Sequence, residues 1–149
     1  MISTVSHVKS NQTDCERFAS EVEKIRNEHP YMTASRFVKK LYKRFANSGR
    51  EFGDGGFKKQ FRDRSNQARH YVGGLWAGFL GGSTLGEFIA NRREDNLLWV
   101  NLGTFKIPVV LPDTPAGRAD KALNAVSTKH GSDLDSEKIK PFQLADLIR

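Results

Sequence analysis

The sequence predicts a mainly α-helical fold: a single compact helical domain of about five or six helices over residues 13–149, a small β-hairpin near residues 97–111, and a polar N-terminal arm over residues 1–12. Three observations lead there. Apolar residues recur at helical spacing in segment after segment, most of them with a capping residue in front and a glycine or proline behind. Only the stretch around residues 97–111 is instead dense in aromatic and β-branched residues. No repeat of fixed period and no Pro-, Ser- or Gln-rich linker divides the chain, whose 149 residues match the size of one domain.

The first helix is expected over residues 14–28. Thr13 stands three residues before Glu16, the spacing at which an N-cap hydroxyl and an N3 carboxylate satisfy each other's free backbone donors. Cys15, Phe18, Val22 and Ile25 form its apolar stripe, and Pro30 stops it. Thr33 caps a second helix whose stripe is Phe37, Val38, Leu41 and Phe45, and Gly49 suits a left-handed termination. The run "REFGDGGFKKQFRD" mixes three glycines with Phe52, Phe57 and Phe61, which predicts a loop that folds back onto the core or forms a short helical turn.

A central helix over residues 65–80 carries Ala68, Tyr71, Val72, Leu75, Trp76, Phe79 and Leu80 on one side and Gly73, Gly74, Ala77 and Gly78 on the other. Large residues on one face and small ones on the opposite face predict a second helix lying close against the small face. Gly81 and Gly82 break this helix, and Thr84, three residues ahead of Glu87, caps a new one. Further along, "LLWVNLGTFKIPVVLP" predicts the hairpin, with Pro108 at an edge position. Thr114 and Pro115 then open a helix with Ala119, Ala122, Leu123 and Val126 as its stripe and Gly131 as its terminator. A last short helix, residues 141–148, is expected to pack through Phe142, Ala145 and Ile148.

Residues 71–90 also invite a membrane reading, because Gly74, Gly78, Gly82 and Gly86 repeat every fourth position. The break at Gly81 and Gly82 argues against it, since a spanning helix needs about 20 uninterrupted apolar residues. The core reading is the economical one.

Composition narrows the function classes. The 24 Lys and Arg against 17 Asp and Glu give a formal charge of +7 and a pI near 9.7, a balance that favours anionic partners. Cys15 is the only cysteine, which excludes an internal disulfide and any Cys-based zinc site and fits a reducing compartment. The segment "MISTVSHVKSNQTD" lacks the basic and apolar regions of a secretory signal, so cytoplasmic residence is expected.

Two sets of residues carry candidate chemistry. Cations interleave with aromatics in "RFVKKLYKRF" and "FKKQFRDRSNQARH", giving Arg36, Lys39, Lys40, Lys43, Lys58, Lys59, Arg62, Arg64 and Arg69 as candidate binding residues. Phe37, Phe45, Phe57 and Phe61 occupy positions that the core also wants. No zinc-finger, RNA-recognition or helix-turn-helix signature accompanies the charge, so contact through a nucleic-acid backbone or an acidic protein surface is the form predicted. Asp63, Asn66 and His70, at spacings of three and four, line one face if the central helix starts near Asp63. There Asp63 or Asn66 would orient His70 as a general base, Arg64 or Arg69 would bind an anionic substrate, and Glu94, Asp95 or Asp120 could add a second carboxylate. His7, His29 and His130 fall in expected loops or helix ends without partners at ligand spacing, so neither a metal site nor a cofactor is predicted.

The leading functional expectation is a small basic cytoplasmic interaction module that docks an anionic macromolecule through the face of Arg36, Lys39, Lys40, Lys43, Lys58, Lys59 and Arg62. The alternative is a small hydrolase or toxin-like effector using His70. Membrane insertion through residues 71–90 is third.

Overall fold

Thr13 caps the first helix of the chain. Its Oγ1 accepts a hydrogen bond from the Glu16 amide at 3.2 Å and starts α1 (Asp14–Glu28), within the bounds the capping pattern predicts. Thr33 does the same for α2 (Ala34–Phe45), accepting from the Arg36 amide at 3.3 Å. The computed structural model describes the backbone of residues 12–94, 97–103, 105–110 and 115–149, and the side chains of 12–82, 103 and 118–149. The expected N-terminal arm therefore lies, apart from Gln12, outside the described residues, as does the side chain of Thr84.

Phe18 on α1 is the centre of the core. It is fully buried, and the rings of Phe45 and Tyr71 meet it edge-on at centroid distances of 4.8 and 5.6 Å. Phe52 and Phe57 close the shell at 6.3 and 6.4 Å. These two rings explain why the glycine-containing loop between α2 and α3 is not a flexible linker: it turns back to bury its phenylalanines. A 3-10 turn over Lys59–Phe61 and a pair of bonds with α1 hold it there, Cys15 N to Gly55 O at 2.9 Å and Gly55 N to the Asp14 carboxylate at 3.1 Å.

The long helix α3 (Gln67–Glu94) starts two residues later than expected. Asp63 folds its carboxylate onto Ser65, accepting from its amide at 2.8 Å and its hydroxyl at 2.6 Å, and this local turn competes with helix. The helix is broken at Gly82, whose φ of 79° and ψ of 170° are left-handed and non-helical, as the double glycine predicts. Of the expected apolar stripe, Ala68, Tyr71, Val72 and Leu75 are buried, Trp76 and Phe79 pack partly against the core, and Leu80 is exposed. Leu80 sits two residues before the break, beyond the reach of the core.

The small face of α3 meets α4 (Pro115–Asp135). A Cβ placed on Gly74 would overlap the Ser127 side chain, and one on Gly78 would come within 2.6 Å of Thr128 Cα. Ser127 and Thr128 can be buried here because each turns its hydroxyl onto the Asn124 carbonyl of its own helix. Gly131 was expected to end α4; instead the helix runs through it to Asp135. The reason is packing, since a Cβ at Gly131 would stand 2.7 Å from the Phe79 amide nitrogen.

Two strands, β1 (Leu97–Leu102) and β2 (Phe105–Val110), pair antiparallel with Trp99 opposite Pro108, and Gly103 between them has a φ of 76°. The chain ends with a 3-10 turn over Pro141–Gln143 and α5 (Leu144–Ile148), which packs on α1. Phe142 is exposed rather than packed, because the turn gives the buried positions to Leu144 and Ala145. The elements form a mainly helical, compact domain. Among the described residues no helix is long and apolar enough to cross a membrane.

The helix crossing gives a stability prediction. Gly78→Ala and Gly131→Ala force backbone against backbone and should each destabilise by about 3 kcal/mol or more. Gly73→Ala, where nothing lies within 4 Å of the added carbon, should be neutral or stabilise by up to about 1 kcal/mol. Urea unfolding of the three variants checks this; equal effects at Gly73 and Gly78 would refute the close crossing.

Candidate functional site

Burying Phe37, Val38, Leu41 and Phe45 of α2 forces its cations to the other side. Arg36, Lys39, Lys40, Lys43 and Tyr42 line an open groove of about 450 Å³ together with Trp76 of α3. The Tyr42 and Trp76 rings lie 5.7 Å apart and inclined at 32°. Among the described residues, carboxylates pair with Arg17, Arg44, Lys129, Lys140 and Arg149, and with none of these four cations. Arg44 shows the contrast: on the same helix, it is tied to Glu21 at 3.1 Å and to Glu51. Arg36 and Lys40 also border a neighbouring hollow that contains the fully exposed Tyr31, with Glu28 as its acidic member.

The other expected binding residues lie elsewhere. Lys58 lines a different pocket, with Cys15, Tyr71 and His130. Arg62 donates through Nε to the Phe57 carbonyl at 2.7 Å, and Lys59 begins the 3-10 turn. Arg64 adopts a positive φ of 67° and its amide donates to Asp54 at 2.8 Å, while its side chain and that of Arg69 are exposed. The phenylalanines interleaved with these cations, Phe37, Phe45 and Phe57, are buried in the core.

A second constellation joins three parts of the chain. Asp63 in the turn before α3, His70 in the first turns of α3, and Asp120 on α4 bring one ligand atom each to within 4.8 Å of one another. Asp120 is buried, and Asp63 and His70 are half-buried. Burial pushes the Asp63 carboxyl up, but hydrogen bonds with Asp120 and Ser65 and the charge of His70 outweigh it and leave the group below its ordinary value.

Asn66 does not belong to this group. Its Oδ1 caps α3 by accepting from the Arg69 amide at 3.0 Å, and its Nδ2 donates to Ser48 Oγ at 2.8 Å and Gly49 O at 2.7 Å. The spacing that suggested an orienter for His70 thus reflects a helix start. Of the further carboxylates, Asp120 arrives through the crossing of α3 and α4, whereas Asp95 and the Glu94 side chain lie outside the described residues.

His130 has a partner that its position in the sequence conceals. Its Nδ1 lies 2.6 Å from the Tyr71 hydroxyl, deep in the pocket shared with Cys15. Burial lowers the imidazole below its ordinary 6.5 and raises the Tyr71 phenol well above its own value, so the phenol donates to a neutral ring. The available signal was periodicity: His130 continues the Leu123 and Val126 stripe once α4 is allowed to run past Gly131.

No protein-family model, no curated protein and no solved structure matches this chain. The candidate sites therefore rest on their own geometry.

A pH dependence follows from His130. Because folding favours the neutral ring, the unfolded chain binds more protons below 6.5, and the stability this imidazole contributes is lost as pH falls from there through the folded value. Between about pH 7.5 and about pH 5, the wild type should lose more unfolding free energy than His130→Gln, whose amide can still accept from Tyr71. Equal losses in the two proteins would contradict the buried neutral imidazole.

Proposed function

We propose that the protein is a small basic interaction module that docks an anionic macromolecule on α2, and that a nucleic-acid strand is the partner best suited to the groove. One observation carries this reading: Arg36, Lys39, Lys40 and Lys43, none in an ion pair among the described residues, surround the Tyr42–Trp76 pair. Cations neutralise phosphates and release counterions, and aromatic faces accept bases without regard to sequence. An acidic protein surface would use the cations but leave the rings without a matching group. Lys58, Lys59 and Arg62, which border other parts of the surface, would steer the partner at longer range. Cytoplasmic residence, where the buried thiol of Cys15 stays reduced, is part of the same proposal.

A second reading, a small hydrolase with His70 as general base, is supported by the meeting of Asp63 and Asp120 at that imidazole. Asp63 would be its orienter, and the exposed Arg64 or Arg69 would hold an anionic substrate.

Fluorescence anisotropy with labelled single-stranded RNA and DNA tests the first reading. Binding should weaken log-linearly with salt, and joint reversal of Lys39→Glu and Lys40→Glu should abolish it while His70→Ala binds as the wild type does. In a Trp99→Phe background the remaining tryptophan, Trp76, should be quenched on binding. Affinity unchanged by the double reversal would sink the docking face, and loss of binding in a folded His70→Ala protein would favour the second reading.

A further inference from the structure

We propose that Asp63, His70 and Asp120 bind one divalent transition-metal ion. The donors are two carboxylates and an imidazole, a set suited to borderline ions such as zinc and manganese and poor for soft copper(I). They come from three separate pieces of backbone: a turn held by the Asp63 to Ser65 bonds, the start of α3, and the second turn of α4. Such convergence has no counterpart among the other carboxylates and histidines of the described residues.

The geometry is close to what coordination asks. An ion about 2.1 Å from each ligand places ligand atoms roughly 3 to 4.2 Å apart, slightly inside the 4.8 Å limit found here. Rotamer changes at the half-buried Asp63 and His70 can supply that closure, whereas Asp120 is fixed by burial on α4. Charge points the same way. Two carboxylate ligands supply the negative charge that a divalent cation neutralises. Three protein ligands also leave coordination positions for water, as in metal sites that act on substrates. The inference is independent of the α2 groove and would stand if nucleic-acid binding failed.

The test is isothermal titration of the full-length, chelator-treated protein with zinc chloride and, separately, manganese chloride. One ion per chain is expected for at least one of the two metals. Asp120→Asn keeps the size and shape of the buried side chain and should therefore preserve the circular-dichroism spectrum and melting temperature while weakening metal binding by more than about 100-fold. His70→Gln should weaken it likewise, and His29→Gln, a change at an exposed histidine outside the cluster, should leave it unchanged. If Asp120→Asn does not fold, Asp63→Asn at the half-exposed position takes its place. Absence of binding of either metal at millimolar concentration, or a folded Asp120→Asn or Asp63→Asn protein that binds as the wild type does, would overturn the proposal.

Discussion

The contact on which the rest of the structure depends is the close passage of α4 across the glycine face of α3. Gly74 and Gly78 on one helix and Gly131 on the other remove side chains where the backbones approach, so that Ser127, Thr128 and the carbonyl of Leu75 fill the crossing. Glycine inside a helix costs about 1 kcal/mol relative to alanine. Three such positions persist because the close packing they allow returns dispersion contacts along both helices. The same small residues that resemble a membrane-helix ridge in sequence thus serve a crossing between two helices of a compact domain.

From that crossing the candidate chemistry follows. Asp120 and His130 lie on the same helix, some three turns apart, and α4 delivers one to Asp63 and His70 and the other to Tyr71. Rotating α4 or moving it outward by the thickness of a methyl group would separate both pairs. The α2 face is less dependent. Its cations are exposed because the opposite side of that helix is apolar, and only Trp76, from α3, ties the groove to the central crossing.

Much of this was legible in the residues. Thr13 and Thr33 announced their helices through the spacing of caps and apolar stripes, and the paired glycines at 81 and 82 announced the break. The presence of a helix against Gly74 and Gly78 was also readable, because a face without side chains needs a close neighbour. What could not be read was which residues would meet there. Gly131 has the composition of a helix end and the role of a packing position, a distinction that exists only when Leu75 and Phe79 are opposite it. Asn66 matched the spacing of a catalytic orienter, yet helix capping uses the same residue type at the same place. Asp120 and His130 joined their partners across about 50 to 60 residues of chain, a separation at which local periodicity carries no information.

The most direct measurement is an NMR nuclear Overhauser spectrum of the full chain, observing the α protons of Gly78 and Thr128. A strong cross-peak between them, with a second between Gly131 and Leu75, is expected when the helices cross backbone to backbone. Assigned resonances with no cross-peak at either pair would contradict the crossing and, with it, the meeting of Asp120 with Asp63 and His70.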